Sequence, residues 1–285
     1  MKDLKRQKPF VSCKDYLVSS EQFELFKDED FDLLYTYPVP KNLASYYESE
    51  NYISHTDQKK SLFDRVYQAA KKTALQRKLR LLNSLNLEEK KVLDIGAGTG
   101  DFLKVCQEDG WQVSGTEPNS KARSLAASKG LELLEETSAL SGLQFDVITM
   151  WHVLEHIEHL QTFIEELKGM LKPNGYLIVA VPNFKSYDAN FYKEYWAAYD
   201  VPRHLWHFSQ KSIKQLFLKK NIGLKKVLPM KFDAYYVSLL SEKYRSGKMR
   251  PLQAFYRGWL SNWKAKQSGE YSSLIYVLKN GVEPI

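Results

Sequence analysis

Cysteine is nearly absent from this 285-residue chain, with only Cys13 and Cys106 present. Two cysteines cannot make a disulfide framework or a four-cysteine zinc site. No run of about 18 uninterrupted apolar residues occurs, so no membrane span is expected. The N-terminus, MKDLKRQKPFVSCKDY, lacks the apolar stretch of a signal peptide. A cytoplasmic location follows as the expectation. Internal repeats and low-complexity segments are missing too. What is present is ordinary for a globular protein: 44% hydrophobic and 26% charged residues. The length suits one large domain or two small ones, with enough chain to bury a core.

The formal net charge of +7 is a sum of unlike parts. Residues 1–91 hold 17 basic and 14 acidic side chains (+3), residues 92–183 hold 6 and 13 (−7), and residues 184–285 hold 18 and 7 (+11). An acidic middle and a basic C-terminal third are therefore superimposed.

Residues 10–36 alternate loosely and read as short strands or irregular structure, punctuated by Pro38 and Pro40. From Ser61 to Leu85, apolar residues recur at helical spacing between lysines and arginines. The period then shortens. Lys91–Ile95, Trp111–Thr116, Leu131–Leu134, Phe145–Met150 and Tyr176–Val181 read as strands. Helical stretches at Asp101–Asp109, Ser120–Lys129 and Leu160–Leu171 separate them, and Lys172–Gly175 reads as a turn. This alternation predicts an α/β fold with a doubly wound, mostly parallel sheet. Beyond it, Ser212–Lys220 reads as a helix capped by Ser209 or Ser212, and Lys225–Leu228 and Ser272–Leu278 as strands. Residues 234–266 are amphipathic and basic and read as a helical insertion before the last strand.

The chemistry centres on Asp94-Ile95-Gly96-Ala97-Gly98-Thr99-Gly100, between a strand and a helix. Glycines there let a ligand approach the backbone, and the helix N-terminus adds oriented N–H groups. The spacing is not G-x-G-x-x-G, because Asp101 stands at the third glycine's place, and no Gly-Lys-Ser/Thr follows for a P-loop. Asp94 before the loop suits a cationic or amine-bearing ligand. Glu117, 21 residues after Gly96, ends the second strand, where a carboxylate accepts both hydroxyls of a ribose. These residues predict an adenosine-containing ligand without a phosphate.

Here the chain resembles class I S-adenosylmethionine-dependent methyltransferases. Val92–Phe102 (VLDIGAGTGDF) resembles that family's first motif, and Thr116-Glu117-Pro118 the end of its second strand. Phe145–Ile157 (FDVITMWHVLEHI) resembles its fourth-strand motif, and Leu171–Val181 (LKPNGYLIVAV) the turn and fifth strand. The resemblance implies a seven-stranded Rossmann-like sheet with S-adenosylmethionine as cofactor. It divides the chain into an N-terminal extension or lid over residues 1–60, similar to a degenerate zinc ribbon, and a methyltransferase domain over 61–285. A basic insertion at 234–270 precedes the last strand. Asp94 would meet the methionine amino group. Gly96, Ala97, Gly98, Gly100 and Phe102 would lie along the cofactor, Glu117 and Pro118 at the ribose, and Met150, Trp151 and His152 beside it. Where many members place an acidic residue for adenine, Thr137-Ser138-Ala139 stands, with Glu136 just before it.

Methyl transfer depends mostly on alignment, with a general base needed when the acceptor is a hydroxyl or a protonated amine. Four residues are candidates for that work. His152 and His156 lie four apart and would share one face of a helix. Arg203 and His204 belong to Asp200–Ser209 (DVPRHLWHFS), which resembles a stretch of a bacterial subgroup. Beyond His152 and His156, the spacing of His152, His156, His204 and His207 is not that of a metal site, and no metal is expected. Tyr46, Tyr47, Tyr52 and His55 either form a lid or pack the N-terminal segment onto the sheet. The expected reaction is methylation of oxygen or nitrogen on a small-molecule acceptor, anionic or anion-tethered, such as a sugar or lipid-linked compound. The alternatives are a nucleic-acid methyltransferase and a non-catalytic interaction protein. The first is disfavoured by Met150-Trp151-His152-Val153 standing where base-amine methylation uses (Asn/Asp)-Pro-Pro-(Tyr/Phe), and the second by the intact glycine loop.

Overall fold

The computed structural model describes residues 8–47 and 62–281. Strands β1 (Val11–Lys14), β2 (Gln22–Asp28) and β3 (Leu33–Tyr37) come first, then helix α1 (Leu62–Asn83). Strands and helices then alternate: β4 (Lys91–Ile95), α2 (Asp101–Glu108), β5 (Gln112–Thr116), α3 (Ser120–Ala127), β6 (Phe145–Trp151), α4 (Leu160–Met170) and β7 (Leu171–Pro182). The remainder comprises α5 (Tyr187–Tyr192), β8 (Trp206–His207), α6 (Gln210–Leu218), β9 (Ile222–Pro229), α7 (Asp233–Ser246), α8 (Pro251–Ser268) and β10 (Ser273–Asn280).

The large sheet has the order β5-β4-β6-β7-β10-β9. Its first four strands are parallel, and β10 runs antiparallel to both neighbours. Successive residues of its central strands serve opposite faces. Leu93 and Ile148 join the core under α4 and α6, whereas Val92 and Val147 pack against α1 and α2. Both faces are thus covered, which explains why these strands are mostly apolar rather than alternating. The α/β doubly wound expectation holds.

The expected seventh strand is reduced to a single bridge, Thr116 to Leu134. Glu132, Glu135 and Glu136 around it are exposed, so this edge continues no further. The expected turn at 172–175 lies inside β7, as a bulge where the register against β6 shifts and Asn174 takes φ 62°. Residues 234–266 form two helices, broken where Gly247 adopts φ 71° and Pro251 starts α8.

A second, antiparallel sheet has the order β1-β2-β3-β8. Leu34 pairs with His207 and Tyr35 with Trp206, so the N-terminal strands are completed by the segment following β7. Cys13 on β1 is buried and free. Among the described residues, no helix is long and apolar enough to cross a membrane.

Candidate active site

Strand β4 runs into a loop whose three glycines adopt φ of 70° (Gly96), 56° (Gly98) and 76° (Gly100). A methyl group on Gly96 would lie 2.5 Å from Val153 Cγ2, and one on Gly100 2.7 Å from Leu131 Cδ1. One on Gly98 would meet nothing within 4 Å. Gly96 and Gly100 thus permit close packing, while Gly98 leaves the loop open to a ligand. The Gly96 and Ala97 N–H groups donate to Thr116 O, anchoring the loop to β5. Glu117 accepts from the Gly98 N–H at 2.8 Å and the Asn119 N–H at 3.0 Å, which aims its carboxylate at the loop. Pro118 follows it, exposed at the surface.

Asp94 is buried and accepts from Thr149 Oγ1 at 2.5 Å. Burial pushes its pKa up to about 7, against the Thr149 hydrogen bond and the positive charge of Lys78. Lys78, on α1, has its pKa pushed down to about 8 by burial, with Asp94 and Asp233 opposing that shift. Its Nζ stands 4.0 Å from the centre of the Trp151 ring and 5.6 Å from that of Phe102. Phe102 meets Trp151 edge-on at 5.5 Å. The Trp151 Nε1–H is buried with no partner. Met150 is wholly buried beneath, in the sheet core. A buried carboxylate, a lysine held near it by opposite charge and an orphaned indole donor therefore stand on the elements beside the open loop. This arrangement suits the amino and carboxylate ends of a zwitterion and so fits S-adenosylmethionine.

The turn after β6 is not an α-helix. His152 takes φ 58°, and only a single 3-10 turn, Leu154–His156, follows. His152 and His156 consequently have different surroundings rather than one shared face. His152 is clamped between Glu155 Oε1 (3.2 Å from Nδ1) and Asp233 Oδ2 (3.1 Å from Nε2). Burial opposes its charge, but the two carboxylates prevail and push its pKa up to about 10. His152 is therefore an imidazolium whose two nitrogens are both occupied, not a base.

His156 Nδ1 lies 3.0 Å from Arg203 O and 3.0 Å from the Tyr47 hydroxyl. A carbonyl only accepts, so Nδ1 carries a proton, and in the neutral ring the lone pair is on Nε2. The ring of His204 packs edge-on against that of His156, 4.7 Å away. The His204 Nδ1–H donates to Ala198 O at 2.9 Å. Burial and the neighbouring His156 push the pKa of His204 down to about 4, so it is neutral. One ligand atom from each of Glu155, His156 and His204 lies within 4.8 Å of the others, and Glu155 Oε2 is buried without a partner. These three residues could hold a divalent cation, a grouping the sequence spacing did not reveal.

Arg203, expected to bind or deprotonate the acceptor, is placed otherwise. It is buried, and its guanidinium donates to Asp15 Oδ1 at 3.0 Å, Asp200 Oδ1 at 2.7 Å and Tyr46 O at 3.3 Å. It braces β1 and the Asp200–Ser209 segment and leaves nothing free for an acceptor. The same segment is tied to the β6 turn by the Leu205 N–H on Glu155 O (2.8 Å) and Trp206 Nε1–H on Ile157 O (2.7 Å). His207 is buried against Thr36 Oγ1 at 3.1 Å, and burial holds it neutral. Glu136 is exposed. Tyr47 reaches His156 with its hydroxyl, whereas Tyr46 packs on Phe23, turns its hydroxyl to Glu21 and meets Arg203 only through its backbone carbonyl; Tyr52 and His55 lie outside the described residues. The sequence did not single out Lys78, Thr149 or Asp233.

A model of the methyltransferase-domain family matches residues 65–228. The chain belongs to that family. The resemblance to methyltransferases, drawn from residues 88–183 and more loosely from 205–285, is borne out at the level of the family. Among curated proteins, the chain is similar to a ubiquinone biosynthesis O-methyltransferase of Histophilus somni, 35% identical over 111 residues, or 34% of this chain and 47% of that protein. A protein of the same name from Actinobacillus pleuropneumoniae is 28% identical over 192 residues, 58% of this chain and 82% of its own. The chain thus spans about half the length of the first of these relatives. Among solved structures, magnesium protoporphyrin IX methyltransferase from Synechocystis superposes with a TM-score of 0.56 at 14% identity, covering 85% of this chain and all of that one. An S-adenosylmethionine-dependent methyltransferase from Archaeoglobus fulgidus gives 0.51 at 17%, covering 77% and 98%. At these identities the structures show the shared fold.

Proposed function

We propose that this methyltransferase moves a methyl group from S-adenosylmethionine to a hydroxyl oxygen of a small-molecule acceptor, with His156 as the general base. S-adenosylmethionine supplies a methyl already activated on a sulfonium sulfur. Asp94 receives the amino group, Lys78 the carboxylate, and Glu117 the ribose hydroxyls. His156 Nε2 takes the acceptor's proton as the oxygen–carbon bond forms and the carbon–sulfur bond breaks, with that bond's electron pair staying on sulfur. His204, neutral and packed against His156, adds no competing charge. The observation that carries this reading is the 3.0 Å contact of His156 Nδ1 with Arg203 O, which fits a neutral ring with its lone pair on Nε2. The names of the curated relatives support oxygen as the acceptor atom. The ligand pair Lys78 and Asp94 supports an amino-acid end on the donor.

One observation favours a metal-assisted form of the same reaction, the unpartnered Glu155 Oε2 beside His156 and His204. A divalent cation there would polarise the hydroxyl and make His156 a ligand. A single experiment separates the forms, by following methyl-labelled donor into an RNase-treated metabolite extract. Under the general-base reading, His156→Ala lowers kcat by about 100-fold or more with little change in donor KM, and a chelator has no effect. Activity lost to chelator and restored by a divalent cation would assign the metal form instead. Label that is incorporated only when RNase is left out, or full activity in His156→Ala, would refute the proposal.

A further inference from the structure

Helix α8 is inside out. Its buried face is made of small residues, Ala254, Gly258, Ser261 and Ala265, spaced at four, three and four. A methyl group on Gly258 would lie 2.8 Å from Tyr235 Cδ1 and 2.9 Å from Ala234 O, so α8 sits backbone-close on α7. The large apolar residues face outward. Leu252 is 87% exposed, Phe255 64%, Trp259 48% and Trp263 50%, and Tyr256 lies between them. They form one continuous stripe along the helix. Monomeric soluble proteins rarely leave such a stripe uncovered.

The charge of the segment that carries the stripe indicates what covers it. Residues 243–269 contain seven basic side chains and no acidic one. A second copy of this chain would bring a matching set of seven positive charges against the first, which opposes a symmetric pairing. A bilayer carrying anionic lipids offers the opposite charge, and tryptophan and tyrosine settle at its headgroup level. No helix among the described residues is apolar enough to cross, so α8 would lie on the surface. The insertion is also fixed to the site, because Asp233 at the start of α7 holds His152.

We propose that α8 docks the protein on anionic membrane surfaces through its outward aromatic stripe and the basic residues beside it. This rests on the surface alone and stands whichever acceptor the active site takes.

The test uses the full chain and vesicles of phosphatidylcholine with or without about 30 mol% phosphatidylglycerol, read by co-sedimentation and tryptophan emission. The anionic vesicles should bind at least about tenfold more protein than neutral ones, with a blue-shifted emission, and about 0.5 M salt should release it. Trp259→Ala/Trp263→Ala and Lys248→Glu/Arg250→Glu should each weaken binding by about tenfold or more at an unchanged unfolding midpoint, since all four positions are on the surface. Failure to bind anionic vesicles would overturn the proposal, as would unaltered binding by both double variants. A stable dimer in sedimentation velocity that Trp259→Ala/Trp263→Ala breaks apart would show that a second copy covers the stripe, and would also overturn it.

Discussion

Asp94 shows at the scale of one residue how a candidate site can store instability. In the unfolded chain its carboxyl titrates near 3.8, and in the fold burial raises that to about 7. A group whose folded pKa is raised favours the fold below the unfolded value and loses that contribution as pH rises toward the folded one. The apo protein should therefore weaken between about pH 4 and 7 through this residue. Asp94→Asn keeps an acceptor for Thr149 and removes the charge. We expect it to stabilise the apo protein at pH 8 by about 1–3 kcal/mol in urea unfolding while impairing donor binding. Equal stability of variant and wild type at pH 8 would contradict that reading of the site. Asp94, Gly98 and Glu117 were legible in the sequence because the turn imposes their spacing. Lys78 was not, since a lysine within a basic helical stretch looks the same whether it faces water or a pocket. His156 was legible as a candidate, but its tautomer depends on Arg203 O, 47 residues away in the chain.

Among the elements, those with a strong period were read closely. Helix α4 covers Leu160–Met170 against an expected 160–171, and α6 is capped by Ser209, with Ser212 returning the bond in a capping box. The weak strand at 131–134 dwindled to one bridge at an edge, where exposed glutamates leave nothing further to pair. Strand β8 is only two residues long, too short for any periodicity, and its partner lies about 170 residues earlier in the chain. Arg203 closes that long-range contact. Asp15 is buried with it, and Asp200 nearly so. Arg203→Ala would strand both carboxylates and should cost about 3–5 kcal/mol in urea unfolding, with activity falling as the Asp200–Ser209 segment loosens. Wild-type stability in that variant would return Arg203 to the list of acceptor-binding residues.

Across the whole molecule, the +7 charge separates into a nearly balanced first third (+3), an acidic middle third (−7) and a basic C-terminal third (+11). The acidic third holds Asp94 and Glu117, which would suit a cationic sulfonium donor. The basic third builds α7 and α8, which carry Asp233 to the active site at one end and the aromatic stripe on the outside. Sequence periodicity showed that this region is amphipathic. It did not show which face is buried, because only packing reveals that Gly258 and its small neighbours point inward. The most direct test of the account as a whole is calorimetric titration of S-adenosylmethionine into the wild-type chain, Asp94→Asn and Glu117→Ala. The account predicts micromolar or tighter binding to the wild type and a loss of about 10- to 100-fold in each variant. No heat with the wild type, or affinities that the two substitutions leave unchanged, would contradict it.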